Sequence, residues 1–253
     1  MKKSVLITGG GKRIGAALVR KFAELEFAVY IHVNQSRQAA EELRKELKNP
    51  ACHHIVECDL SDPAARRNMI DTLPAMDLVI NNASVYRLTP PGNRETAENR
   101  ERYWQVNYNA PLEIITHQQT AARGRKTVAI TVLDCDVLNP DGGIKIFEPV
   151  PEGVDSYLAT RIALAHKIVE LARTAAPLQR LAAIAPGPVL PPVNCTAKGM
   201  TIILERVVTG EPVGVQEVVN TAVFLWQNPS LTGVIIPVDG GMHLNQGAIF
   251  IQK

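Results

Sequence analysis

The sequence is poor in the features that mark secreted, membrane-spanning or nucleic-acid-binding proteins. Four cysteines in 253 residues are too few for a disulfide scaffold. Cys52, Cys58, Cys135 and Cys195 also show no C-x-x-C spacing, so reduced thiols are expected. No apolar run approaches the ~20 residues that a membrane span requires. The amino-terminal residues pass directly into a strand-like run without the zones of a secretory signal, which leads to the expectation of a cytosolic protein. A net charge of +2, spread rather than clustered, gives no electrostatic footprint for a nucleic acid or a membrane surface. One apparent metal signature, Cys52-His53-His54 followed by Cys58, fails on geometry. It lies in a strand-like segment, where alternate side chains point to opposite faces and do not converge on one ion. No metal is expected.

What is present is an alternation. Strand-like apolar runs occupy residues 5–8, 28–33, 54–58, 78–81, 127–133, 179–185 and 233–238, and helical patterns occupy 14–25, 37–48, 63–73, 94–122, 157–175 and 215–227. Near-continuous apolar strands alternating with helices specify a doubly wound α/β fold, a parallel sheet covered on both faces. The length suits a single domain, residues 1–253, and no internal repeat or low-complexity tail suggests a second one. Right-handed crossovers place all strand carboxyl ends on one edge, where ligands bind. Two segments break the regularity: residues 139–153, rich in proline and glycine, and residues 185–200, with Pro186, Pro188, Pro191 and Pro192. Both follow strands and so lie over the binding edge, where loops carry function.

The first strand runs into Thr8-Gly9-Gly10-Gly11-Lys12-Arg13-Ile14-Gly15, and this turn opens a helix. Free backbone N–H groups and the positive helix terminus there accept phosphate. Glycine is required because a Cβ blocks a left-handed turn or holds a pyrophosphate away. At a first βα junction followed by a second apolar strand, the turn indicates a dinucleotide fold. An NAD enzyme places an acid near the end of that second strand to bond the ribose 2′-hydroxyl. Asn34 stands there instead, followed by Gln35, Ser36 and Arg37. No carboxylate repels a 2′-phosphate, and Lys12, Arg13 and Arg37 are available to neutralise one, so NADPH is the expected cofactor.

Taken together, Thr8-Gly9 through Gly15, Asp59-Leu60, Asn81-Asn82-Ala83-Ser84, Asn107, Tyr157, Pro186-Gly187 and Val238-Asp239-Gly240-Gly241 resemble the short-chain dehydrogenase/reductase family over nearly the whole chain. The resemblance implies NAD(P)-dependent hydride transfer on a Rossmann-like sheet, usually in a homotetramer, with residues 94–122 and 157–175 as the dimer-forming helices. It also assigns cofactor contacts to Gly9, Lys12, Arg13, Ile14, Gly15, His32, Asn34 and Ser36, to Asp59 with the Leu60 backbone at adenine, and to Asn82, Ala83, Ser84, Pro186 and Gly187. Asn107 matches the asparagine that holds a helix distortion and a water. Within the family the chain is most similar to pteridine reductases. They share an arginine at Arg13 and the segment His32-Val33-Asn34-Gln35-Ser36. Tyr86 matches an aromatic that stacks on the pterin ring, and Asp134 matches an aspartate in place of the usual catalytic serine. The implied substrate contacts are Arg13, Ser84, Tyr86, Asp134 and Tyr157.

The family's chemistry uses a tyrosine whose proton goes to substrate as hydride arrives, with a lysine one helical turn later favouring phenolate. This chain has Arg161 four residues after Tyr157. Arginine retains the charge but cannot release a proton, so a relay through lysine is cut or rerouted through water. Lys167 lies on a different helical face from Arg161 and is no replacement. The catalytic set is therefore Asp134, Tyr157, Arg161 and Asn107. A pterin reductase, a carbonyl or acyl-carrier-type reductase, and a non-catalytic nucleotide-binding relative all stay open. The interval from Asp134 to Tyr157 exceeds that of the family, and the extra residues, within 136–153, are expected to form a lid. Asp136 is the alternative to Asp134, which the strand pattern favours.

Overall fold

Seven aliphatic runs become seven strands, β1 (Ser4–Ile7), β2 (Ala28–Val33), β3 (His54–Glu57), β4 (Leu78–Asn81), β5 (Thr127–Val132), β6 (Gln179–Pro186) and β7 (Val234–Val238). The computed structural model describes residues 2–86, 94–147, 156–190 and 197–245, apart from the side chains of 197 and 198. The strands form one sheet in the order β3-β2-β1-β4-β5-β6-β7, and every pairing is parallel. Leu6 sits opposite Tyr30 on one side and Val79 on the other. The helices are α1 (Arg13–Glu24), α2 (Arg37–Glu46), α3 (Pro63–Thr72), α4 (Ala97–Trp104), α5 (Ala110–Ala121), α6 (Tyr157–Ala175), α7 (Ala197–Leu204) and α8 (Val215–Gln227).

Strand periodicity divides the core between the two faces. Val5, Ile7, Leu78, Ile80, Val128 and Ile130 pack with α1, α2 and α8 through Leu18, Phe22, Leu43, Val218 and Leu225. The intervening Leu6 and Val79 pack with α3 and α5 through Ile70 and Ile114, and Ala129 joins Leu164 and Ile168 of α6. On that second face Arg66 is buried to 1% exposure. It forms a bidentate pair with Glu113 at 2.8 and 2.7 Å, and also donates to the Leu60 carbonyl and to Gln105. One α3 side chain thereby ties α5 to the loop after β3, a use of arginine's planar fork that lysine lacks.

Three sequence expectations change. The helix expected over 94–122 begins at Ala97, where Thr96 Oγ1 accepts from the Asn99 amide at 3.1 Å. It then widens into a π-helical turn over Gln105–Asn109 before α5. Pro111 supplies the reason: it has no N–H to return to the Asn107 carbonyl, and Ala110 donates five residues back, to Gln105, instead. The expected loop at 185–200 contains α7 from Ala197 onward, while Pro191, Pro192 and Cys195 lie outside the described residues. The expected lid folds back on itself. Leu138 pairs antiparallel with Ile144, the Asn139 amide donates to Gly143 at 2.7 Å, and the Lys145 amide donates to Val137 at 2.9 Å. Ile144 packs against the buried cluster of β5, β6 and α6, and His166 of α6 donates to the Lys145 carbonyl at 2.7 Å. This hairpin therefore lies on α6 rather than across the binding edge; residues 148–155 lie outside the description.

The strand order reverses between β1 and β4, and a crevice opens beyond their carboxyl ends.

Candidate active site

Two cavities meet at that crevice. The first, about 370 Å³, is lined by Gly9, Lys12, Arg13, Ile14, Gly15, His32, Asn34, Asp59, Leu60, Asn82, Ala83 and Ser84 among others. The second, about 530 Å³, contains Tyr86, Asp134, Tyr157, Arg161, Pro186 and Gly187. Arg13, Ile14, Asn82 and Ser84 line both.

The glycine turn is held from two directions. Thr8 Oγ1 accepts from the amides of Asn82 and Ala83, both at 3.0 Å, and Asn82 Nδ2 donates to the carbonyls of Thr8 and Gly9 at 2.9 and 3.2 Å. Gly9 has φ +65°, and a Cβ on Gly15 would lie 2.0 Å from the Gly9 carbonyl oxygen. Both positions need glycine. Behind the turn, the Gly9 amide donates to His32 Nδ1 at 3.2 Å, and His32 Nε2 donates to the Cys58 carbonyl at 3.1 Å. A carbonyl only accepts, which assigns the proton to Nε2. Burial lowers the imidazole pKa to about 4, outweighing the raising effects of Cys58 and Asp59. His32 is thus a neutral strut between β2, β3 and the phosphate-type loop.

At the far end of this cavity Asp59 accepts from the Ser61 amide and hydroxyl at 2.9 and 2.7 Å. Burial works against its charge, but the Ser61 bonds, Arg102 at 3.8 Å and a hydrogen bond from Asn34 lower its pKa overall. The Leu60 carbonyl is engaged by Arg66 at 2.6 Å, which leaves its amide for a base. Two placements depart from expectation. Ser36 stands behind the turn, its Oγ 2.7 Å from where a Gly11 Cβ would lie, and it is absent from the lining of the first cavity. Arg37 is paired with Glu57 at 2.9 Å and Glu41 at 3.6 Å. Arg102, which no local motif marks, takes a place in the cavity wall beside Asp59. The turn, with Lys12 and Arg13 beside it and Arg102 at the Asp59 end of the cavity, suits a phosphorylated dinucleotide.

In the second cavity β5 delivers Asp134 and the first turns of α6 deliver Tyr157 and Arg161. Arg161 is 2% exposed; its Nε donates to Asp134 Oδ2 at 2.7 Å, and its Nη2 donates to the Val132 carbonyl. The Tyr157 hydroxyl donates to the Asp134 carboxylate, 3.1 Å from each oxygen. Tyr86 and Tyr103 present ring edges to Tyr157, with centroids 4.8 and 5.9 Å away. Ser84 hydrogen-bonds Tyr157 and also donates to Asn107 Oδ1 at 3.2 Å. Asn107, fully buried in the π turn, exchanges hydrogen bonds with the Val85 backbone at 2.8 and 2.9 Å. Asp136 also lines this cavity but is outside the Tyr157 cluster, paired with Arg206 at 2.8 Å, and Lys167 pairs with Glu170 at 2.7 Å on the surface. Gly187 allows β6 to pass Asp239, whose Cα would lie 2.8 Å from a Cβ there.

The electrostatics depart from the expected phenolate. Burial pushes the Tyr157 pKa well above its ordinary value and Asp134 adds to that, while Arg161 opposes both without prevailing. The guanidinium is committed to Asp134, whose charge it neutralises before it reaches the phenol. The arrangement holds a protonated tyrosine between a carboxylate and an open cavity.

The fold and this site place the chain in the short-chain dehydrogenase/reductase family, to which it belongs: residues 10–243 match the family model described as enoyl-(acyl carrier protein) reductase. Among curated relatives, a dihydromonapterin reductase of Enterobacter is 26% identical over 96% of this chain and 98% of its own. An L-xylulose reductase of mouse is 28% identical over 94% and 96%. The crystal structure of FolM alternative dihydrofolate reductase 1 from Brucella suis, in complex with NADP, superposes with a TM-score of 0.83. It is 26% identical to this chain, with 99% and 98% of the two chains covered.

Proposed function

We propose that this protein is an NADPH-dependent reductase of a pterin or similar flat heterocycle, acting on a ring carbon–nitrogen double bond. One observation carries the reading: a carboxylate, Asp134, stands 3.1 Å from the Tyr157 hydroxyl. A carbonyl oxygen gains negative charge as it is reduced and is repelled by a carboxylate at that place. A ring nitrogen is basic enough to take its proton before or as hydride arrives, and the positive charge that then develops on the ring is one a carboxylate stabilises. The relatives named for pterin and folate reduction support the same choice.

The glycine turn with Lys12 and Arg13 would hold NADPH, which would supply the hydride for the ring carbon. Tyr157 donates its proton to the adjacent nitrogen, and its raised pKa keeps that proton in place until then. Asp134 orients the hydroxyl and passes it a replacement proton from water in the cavity. Arg161 fixes Asp134 through Nε while Nη2 anchors the guanidinium to β5, so the arginine positions the carboxylate rather than relaying protons. Arg13, shared by both cavities, is placed to bond ring and phosphate together, with Tyr86 and Ser84 beside the ring. Partly buried Tyr108 of the π turn, Leu112 of α5 and Leu171 of α6 support a homotetramer. The thiols of Cys52 and Cys58, in no disulfide among the described residues, support a reducing, cytoplasmic setting.

The test is NADPH oxidation with dihydrobiopterin and biopterin, using Tyr157→Phe as control. Turnover that disappears in the control supports the reading. Intact NADPH binding without turnover on either pterin refutes it in favour of another substrate or a silent relative. Arg161→Lys separates these two. A lysine has one nitrogen and cannot occupy both the Nε and Nη2 positions from which Arg161 bonds Asp134 and Val132, so an adapted site loses about 10-fold or more in kcat, whereas an impaired one gains.

A further inference from the structure

We propose that Asp136 and Arg206 form a subsite for a vicinal diol, holding a hydroxylated tail on the substrate ring. This rests on the heterocycle-reductase reading above. The pair lines the second cavity and lies outside the Asp134–Tyr157–Arg161 cluster. Asp136 follows Asp134 by two residues, so their Cα atoms are at most about 7 Å apart. That is the reach of a short substituent from a ring centred at Asp134.

The chemistry of the pair is specific. Arg206 Nη2 donates to Asp136 Oδ1 at 2.8 Å, yet the two side chains remain 27% and 40% exposed. Among the described residues Asp136 Oδ2 and Arg206 Nε and Nη1 have no hydrogen-bond partner. The pair therefore presents a charged acceptor and charged donors side by side toward the cavity. Adjacent hydroxyls each give and accept one hydrogen bond, and they complement this face directly. Asp136 repels a carboxylate tail, while Lys145, which stands near both members of the pair, adds a third charge to this corner of the cavity. The surrounding wall, Val189, Leu190, Ile203 and Met242, is apolar, and in such a pocket a small number of polar groups fixes orientation.

The same ion pair also fastens the segment after α7 to the loop after β5, and a purely structural role must be separated from recognition. Steady-state NADPH oxidation by the full-length enzyme separates them, with two dihydropterins that differ at the ring carbon beside the reducible nitrogen. One carries a dihydroxypropyl group and the other a methyl group. In Arg206→Met and in Asp136→Asn, kcat/KM for the hydroxylated substrate is expected to fall about 10- to 100-fold, mainly through KM, with the methyl substrate little changed. An equal fall for both substrates, or a rise in the KM for NADPH, marks a structural staple and overturns the proposal. Unchanged kinetics in both variants overturns it too, and preference for a carboxylate-tailed pterin in the native enzyme replaces the diol with an anion. If the native enzyme oxidises NADPH with neither dihydropterin, the function proposed above fails, and this subsite falls with it.

Discussion

Acidification from pH 7 to pH 4 is expected to cost this protein about 3 kcal/mol through His32 alone. In the folded chain both ring nitrogens are committed, Nδ1 accepting from the Gly9 amide and Nε2 donating to the Cys58 carbonyl. A second ring proton would face an N–H rather than an acceptor, in a site only 2% exposed. The folded imidazole accordingly titrates at about 4, against an ordinary 6.5. The sign follows from linkage. Below 6.5 the unfolded chain takes up a proton that the folded chain refuses, so stability is complete above that value and drains away as pH falls toward 4. The span of the shift, at about 1.4 kcal/mol per unit, sets the size of the loss. The assay is urea unfolding at pH 7, 6, 5 and 4, comparing the native chain with His32→Gln. The glutamine variant starts less stable but lacks this titration, so the two stability curves converge by about 3 kcal/mol between pH 6.5 and 4. His53, also lowered by burial, is common to both chains and cancels. Curves that stay parallel over that interval refute the account of His32 as a neutral strut.

Two further outcomes are expected. Gly15→Ala places a Cβ 2.0 Å from the Gly9 oxygen, which forces the turn open; NADPH binding, followed by its fluorescence, weakens about 10-fold or more, with thermal unfolding less affected. The raised Tyr157 pKa keeps the proton donor charged with its proton through the alkaline range. The rate with a pterin substrate should therefore show no Tyr157-linked fall below pH 10, and Asp134→Asn, which removes one of the raising influences, should move any alkaline limb downward.

The sheet was legible because each strand is buried on both faces and each crossover carries an amphipathic helix; both leave marks in local sequence. Asp134 and Tyr157 were each matched by resemblance, but the interval between them is longer than the family's, and their convergence was not legible until the ends of β5 and α6 were placed together. What escaped depended on partners distant in sequence. Arg102 reaches the first cavity by meeting Asp59, which lies in another part of the chain. Arg37, well placed on paper, is consumed by Glu57 on β3. Ser36 comes close to the turn only because Gly11 has no Cβ. The phenol's direction of shift was misjudged for the same reason: the charge of Arg161 is spoken for by Asp134, and sequence spacing does not say who answers first. The π turn was foreseen only by resemblance, although Pro111 marks it physically.

The hairpin between Leu138 and Lys145 bears on how such enzymes can diverge. Its backbone closes on itself at the base, so the conformational entropy of closing it is settled locally and is nearly independent of what its tip contains. Residues can be added or removed at Asp141-Gly142-Gly143 while the points where the chain leaves β5 and docks on α6 stay fixed. Length variation in this protein can therefore accumulate between β5 and α6, whose ends carry Asp134 and Tyr157, and leave those two groups in register. A family that keeps its reaction while exchanging its surroundings needs a seam of this kind.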